Sequence, residues 1–254
     1  MYSLDAAKFG QSHEWNDFVG EVKAGIISRH RSVLITNFGN GESNKPLIDL
    51  ATSLGRPHIQ CGLPTHPVED KIVFRVECCG EGIRDSRNVL LYSTTHLGFP
   101  SHTDGSGKPI PYDVVLLYCV RQDQDGGKST VVTLDDLMIS LKPQSIETLR
   151  TKSFPVPFGI APVISGDGSD LWIRYNAEEL SFYARLRRFE LTENQKNALA
   201  DLAGSISSLE VKQPGVQISP GQCLVIDNKR ALHGRTSFSP AGNRLLKRVR
   251  LYWR

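Results

Sequence analysis

The sequence contains no C-x-x-C pair. Its five cysteines, Cys61, Cys78, Cys79, Cys119 and Cys223, are an odd number at irregular spacing, which argues against a disulfide framework and a zinc ribbon. Cys119 and Cys223 lie in apolar runs and are expected to be buried, reduced thiols that pack as small hydrophobes. Cys78 and Cys79 point to opposite faces of an extended chain, so ligation of one metal by both is not expected. No apolar run approaches the length of a bilayer span. Met1 to Gly20 is polar and mixed in charge rather than signal-like. The sequence is therefore read as cytoplasmic, with no membrane partner. An excess of one charge is missing too: 30 Lys and Arg against 27 Asp and Glu leave +3, too little to argue for nucleic acid. No repeat, low-complexity tract or linker divides the chain. Residues 1–254 are expected to form a single domain, with N-terminal helices in about the first 70 residues packed on a core built by the rest.

Apolar spacing predicts a helix over Trp15–Arg29, a strand over Ser32–Phe38 and a second helix over Lys45–Leu54, stopped by Gly55 and Pro57. Ile72–Val76 reads as a strand. Beyond residue 88 the pattern becomes short strands between turn signals: Val89–Ser93, His102–Asp104, Val114–Val120, Ser129–Thr133, Leu171–Tyr175, Cys223–Ile226 and Val249–Trp253. Two helices interrupt them. One covers Leu134–Leu141, with a continuation past Pro143 left open; the other covers Thr192–Leu209 and opens on a T-x-x-Q capping box. The expected class is mainly β with flanking helices around a jelly-roll, double-stranded β-helix core of the cupin type.

His102-Thr103-Asp104 is the stretch on which the chemistry converges. In a strand, alternate side chains share a face, so His102 and Asp104 would point the same way. His233, delivered by the buried run Cys223–Ile226, would complete the two-histidine, one-carboxylate set that holds Fe(II) on one face and leaves the other open. An isolated H-x-D is common by chance, and its weight comes from the motifs that accompany it.

Those motifs are Ser101-His102-Thr103-Asp104-Gly105-Ser106, the strand Tyr112–Arg121 after it, Gly126-Gly127-Lys128-Ser129-Thr130, the D-N-x-R-x-x-H-G-R run ending at Arg235, and Asn243–Arg248. In this order, over roughly residues 88–254, the sequence resembles the Fe(II)- and 2-oxoglutarate-dependent oxygenases of the taurine dioxygenase (TauD/TfdA) superfamily, on its clavaminate-synthase-like and carbapenem-synthase-like branch. The resemblance implies Fe(II), 2-oxoglutarate as co-substrate, and O2. The far carboxylate of 2-oxoglutarate would be held by Arg244, assisted by a hydroxyl from Ser129 or Thr130, with Thr130 preferred. Because neighbouring strand residues face opposite ways, only one of the two is expected to serve. Arg248 matches the arginine that holds an anionic group of the primary substrate. The implied partner is a small amino-acid-like or otherwise anionic metabolite, oxidised at an unactivated C–H bond.

Asn176, Glu178 and His96 are further candidates for lining the substrate pocket. His58 and His66 read as loop histidines. Two departures from the family pattern carry meaning. Arg174-Tyr175-Asn176 stands where arginine-hydroxylating relatives have R-Y-D, which weakens the case for a guanidinium substrate. Asp104 stands where clavaminate-like enzymes often carry Glu, and its presence argues against halogenation. Two other functions use the same residues: a non-catalytic jelly roll binding a small anion through Arg244 and Arg248, and a zinc hydrolase using the same three ligands. The second leaves Arg244 without a role.

Overall fold

The run Val114–Arg121 is buried on both faces, with Val115, Leu117 and Cys119 on one side and Val114, Leu116 and Tyr118 on the other. A strand of this kind needs a packed layer above and below, and the computed structural model supplies both. It describes residues 1–9, 14–60, 68–85, 88–151 and 153–253. In chain order the strands are β1 (Tyr2–Asp5), β2 (Ser32–Thr36), β3 (Gly55–Pro57), β4 (Val68–Glu69), β5 (Val73–Glu77), β6 (Phe99–His102), β7 (Val114–Arg121), β8 (Ser129–Thr133), β9 (Phe154–Val156), β10 (Gly159–Ala161), β11 (Ile164–Ser165), β12 (Trp172–Ile173), β13 (Cys223–Asp227), β14 (Ala231–Arg235) and β15 (Leu245–Trp253). The helices are α1 (Trp15–Ile27), α2 (Lys45–Leu54), α3 (Leu134–Ser140), α4 (Pro143–Arg150), α5 (Ala177–Leu186) and α6 (Glu193–Lys212).

The large sheet runs β1-β2-β13-β7-β15-β5-β4, with β3 also on β15. Its pairs are antiparallel apart from β1 on β2. The small sheet is β6-β14-β8, also antiparallel. Phe74, Val76, Val115, Leu117, Leu224, Ile226, Ala231 and Leu246 form the core between the sheets. The outer face of the large sheet packs on α1 and α2 through Phe18, Val22, Ile26, Leu47, Leu50 and Leu116. The outer face of the small sheet packs on α3, α4 and α6 through Val132, Leu232, Leu137, Leu149 and Leu202. This is the expected jelly roll with flanking helices. No helix among the described residues is long and apolar enough to cross a membrane.

Several elements differ from the sequence expectation, each for a local reason. The helix begun at Leu134 ends before Pro143, because a proline cannot donate to the preceding turn and pushes the residue before it into extended geometry. Lys142 is accordingly extended, and Pro143 starts the separate helix α4. Val89–Ser93 is not a strand: a lone bridge joins Arg84 to Leu90, and a single 3-10 turn follows at Tyr92–Thr94. The strand expected over Leu171–Tyr175 shortens to β12. The last strand begins at Leu245, ahead of Val249, since burial of Arg248 and Lys247 hides its alternation from a hydropathy reading. Neither β1 nor α5 was anticipated. The capping box of α6 is present, with Thr192 accepting from Gln195 N and the Gln195 side chain accepting from Thr192 N.

Two stability outcomes follow from this packing. Leu116→Ala, in a fully buried position of the central strand, should cost about 2–5 kcal/mol. Thr192→Ala should cost about 1 kcal/mol. Urea unfolding of each variant checks both, with the midpoint falling and the slope unchanged.

Candidate metal centre

The register of the small sheet sets His233 of β14 directly opposite His102 of β6. Residues opposed across an antiparallel pair share a face, and the two imidazole centroids lie 4.5 Å apart. Phe99 stacks on His102 at 3.9 Å, and Tyr92 stacks in turn on Phe99. The Nδ1 of His102 is 2.9 Å from the carbonyl of Pro100. A carbonyl can only accept, so Nδ1 carries the proton and Nε2 presents a lone pair.

Asp104 does not lie in an extended strand, as the alternation argument assumed. β6 ends at His102, and Asp104 sits in a turn closed by Ser106 N donating to Thr103 O, with Gly105 at φ +73°. What aims its carboxylate is Asn228. That amide accepts from Asp104 N at 2.8 Å and donates to Asp104 O at 3.0 Å and Tyr112 O at 2.8 Å. Asn228 is fully buried, so the turn is clamped from the connection between β13 and β14, five residues before His233.

One potential ligand atom from each of His102, Asp104 and His233 falls within a 4.8 Å cluster, and all three residues are buried. His102 Nε2, Asp104 Oδ2 and His233 Nδ1 have no hydrogen-bond partner. Unpartnered buried polar atoms are costly, and a buried cluster of two imidazoles and a carboxylate is what a cation site requires. Their protonation states suit it. Burial, with His102 alongside, pushes His233 down to about 3, so its imidazole is neutral at physiological pH. Burial works against the charged form of Asp104, but the Arg248 guanidinium outweighs it and holds the carboxyl well below its ordinary range. Two imidazoles and one carboxylate fit Fe(II).

Beside this cluster lies a small cavity lined by His102, His233, Ser129, Arg244, Arg248 and apolar neighbours such as Leu117 and Leu246. The basic run at the end of the chain is not a solvated surface here. Arg244 and Arg248 are buried, and burial lowers each to about 10, so both stay charged at neutral pH. Arg248 meets Asp104 at 3.2 Å and lies over the Phe74 ring. Arg235 turns one nitrogen onto the carbonyls of Tyr92, Thr95 and Leu97, which anchors the segment before β6.

The preference for Thr130 over Ser129 is corrected by the pleat of β8. Ser129 lines the cavity, whereas Thr130 faces α6 and donates to Glu210 at 3.1 Å. Asn176 is spent as the N-cap of α5, accepting from Glu179 N, and lines a neighbouring pocket with Ser106 and Tyr183. Glu178 is exposed in the first turn of α5, and its charge reaches the Tyr92 phenol. His96 is half-buried and outside the cavity lining; its carbonyl accepts from Phe238 N, while Ser93 takes the lining position. His58 packs on Tyr112 away from the cluster. His66 and Cys61 lie outside the described residues. Asn228 was missed as a site residue, although its place in the D-N-x-R-x-x-H run marks it. Arg174, which donates to the carbonyls of Ser106, Lys108 and Pro109, was missed as the strut of the loop after Asp104.

Comparison with known proteins gives a family and a set of similar folds. The model of the family "Taurine catabolism dioxygenase TauD, TfdA family" matches residues 6–152 and 173–250. Clavaminate synthase 2 of Streptomyces clavuligerus is 28% identical over 168 residues, which is 60% of this chain and 48% of that protein. L-asparagine oxygenase of Streptomyces coelicolor is 28% identical over 141 residues, 50% of this chain and 39% of that protein. The chain thus matches about half or less of the length of these curated relatives. Among solved structures, an asparagine oxygenase with Fe(II), 3-hydroxyasparagine and succinate superposes with a TM-score of 0.68 at 20% identity, covering 93% of this chain and 79% of that one. The non-heme iron oxygenase OrfP with Fe and alpha-ketoglutaric acid gives 0.68 at 21%, covering 94% and 79%. At such identity the superpositions establish a shared fold.

The depressed His233 carries a pH signature for the metal-free chain. Below its ordinary value of 6.5 the unfolded imidazole takes up a proton that the folded one refuses until about 3. The unfolded state then binds more protons, so stability should fall as pH drops from 6.5 towards 3 and be fully present above 6.5. Urea titrations at pH 4 and pH 7 in the presence of a chelator check this, and His233→Gln should flatten the difference.

Proposed function

The chain belongs to the TauD/TfdA dioxygenase family, and from that membership we propose that it is an Fe(II)- and 2-oxoglutarate-dependent dioxygenase of a small amino-acid-like or otherwise anionic metabolite. The outcome would be hydroxylation, or desaturation or cyclisation, at an unactivated C–H bond, with release of succinate and CO2. The observation that carries the reading is the convergence of the buried His102, Asp104 and His233 side chains, one potential ligand atom from each lying within 4.8 Å of the others. Iron and the keto acid, when bound, supply the oxidising chemistry; the chain supplies geometry and keeps water out.

In this reading His102, Asp104 and His233 hold the metal. Arg244 binds the far carboxylate of 2-oxoglutarate, because a guanidinium grips a carboxylate with two parallel N–H groups and stays charged. Ser129 adds a hydroxyl from the same wall of the cavity. Arg248 braces Asp104 and offers its remaining N–H groups to an anionic group of the substrate. Glu178, exposed across from Tyr92, suits an ammonium at the mouth. Phe99, stacked on His102, shields the ligand from solvent. Residues 1–254 would act as one oxygenase domain. The thiols of Cys78, Cys119 and Cys223, which form no disulfide, fit a reducing, cytoplasmic setting.

The test is an anaerobic titration of the apo-protein with Fe(II) and 2-oxoglutarate, followed by the visible charge-transfer band of a chelated keto acid. The band is expected in the parent chain and should be lost in Arg244→Ala at limiting co-substrate. Its absence despite Fe(II) binding would overturn the assignment. Asp104→Ala should abolish substrate-dependent succinate formation while the unfolding transition persists. Asn228→Ala, which frees the Asp104 turn, should weaken Fe(II) binding by about 10–100-fold, measured by competition with a chelator.

A further inference from the structure

Arg244 is held from two sides by residues to which the proposed function gives no task. On one side is Gly127, at φ +69°, where a Cβ would lie 2.8 Å from both Cδ and Nε of the arginine. The stem of Arg244 therefore runs against bare backbone, and any larger residue would displace it. On the other side is the half-buried Gln122, whose Oε1 accepts from Arg244 Nε at 3.2 Å. The orientation of that amide is not free. Its Nε2 donates to Gly126 O at 3.0 Å and reaches Gly127 O at 3.5 Å, and only an NH2 group can satisfy carbonyls. Oε1 is thereby turned towards the arginine. Phe238 lies beneath the guanidinium at 5.8 Å and limits rotation out of this pose.

A guanidinium has two edges on which it can hold a carboxylate with paired N–H groups. One combines Nε with one Nη, and the other combines both Nη groups. Gln122 occupies Nε, which removes the first edge. From this we infer that Gln122 is a positioning residue for co-substrate recognition: together with Gly127 it presents Arg244 end-on, so that the two Nη groups meet the far carboxylate of a 2-oxo dicarboxylic acid. The inference rests on the reading of Arg244 as the anchor of 2-oxoglutarate. It adds that a neutral amide is required at position 122. A carboxylate there could not donate to the glycine carbonyls, and would pair with Arg244 in competition with the co-substrate.

The experiment compares two keto acids on the Fe(II)-loaded protein under anaerobic conditions, again through the charge-transfer band. 2-Oxoglutarate needs both the metal and Arg244, whereas pyruvate chelates the metal but has no far carboxylate. Gln122→Glu should weaken 2-oxoglutarate by about tenfold or more while pyruvate stays within about twofold of the parent. Gln122→Ala, which frees the Nε edge without adding charge, should weaken 2-oxoglutarate by about threefold. Arg244→Ala serves as reference. Equal weakening of both keto acids in Gln122→Glu would mean a general distortion and overturn the inference. Unchanged 2-oxoglutarate binding in Gln122→Glu, with clear loss in Arg244→Ala, would overturn it while leaving the Arg244 assignment standing. No loss in Arg244→Ala would remove the assignment and the inference together.

Discussion

The hydrogen-bonded register between β6 and β14 is the constraint on which the rest of the site depends. It places His102 against His233, and a slip of one residue would turn either side chain to the opposite face of the small sheet. The register is fixed from several directions at once. β8 pairs along the whole of β14, Leu232 is buried against the outer helices, and Ala231 packs between the sheets. Gly234 leaves no room for a side chain, since a Cβ there would meet Phe99 O and Thr130 Oγ1 at 2.8 Å. Packing on both faces thus fixes the placement of two imidazoles to within the tolerance of a coordination sphere.

The carboxylate is handled differently. Asp104 stands outside the ladder, where sheet register cannot aim it, and a single buried amide takes over. Asn228 satisfies the backbone N–H and C=O of Asp104 together, which ties the turn to the same β13–β14 connection that leads to His233. Both halves of the ligand set therefore refer to one rigid element. Arg174 supports the loop beyond through three carbonyls, held between Phe158 and Trp172. A metal site assembled this way can form before any metal arrives.

How much of this the sequence reveals depends on whether a residue's role is set by pattern or by contact. The strands of the core are legible because burial on two faces leaves continuous apolar runs such as Val114–Cys119. The ligands are legible because H-x-D and the downstream His233 keep their spacing. The choice between Ser129 and Thr130 is not, because alternation says that they differ but not which faces inward; the contact of Thr130 with Glu210 on α6 decides it. The inwardness of Arg244 and Arg248 is also hidden. Charged residues spaced four apart near the end of a chain look like a solvated face, and only the pairing of β15 between β7 and β5 puts them inside. Asn176 shows a second role that the motif does not reveal: its side chain starts helix α5.

Electrostatics gives the buried arginines a meaning that packing alone does not. Removing a guanidinium from water costs several kcal/mol unless anions or hydrogen bonds offset it. Arg235 is offset by three carbonyls and Arg248 by Asp104. Arg244 is in contact with a neutral amide and an aromatic face, and the Asp123 carboxylate acts on it without a hydrogen bond. A cation in that position is under-compensated, and burial has already lowered its proton affinity. A carboxylate entering the cavity relieves this imbalance on arrival, so the cost borne by the folded chain becomes affinity for an anion of the right length. The same reasoning explains why an acid at position 122 would be harmful. It would stabilise the empty site and, by the same amount, weaken the site's hold on its ligand.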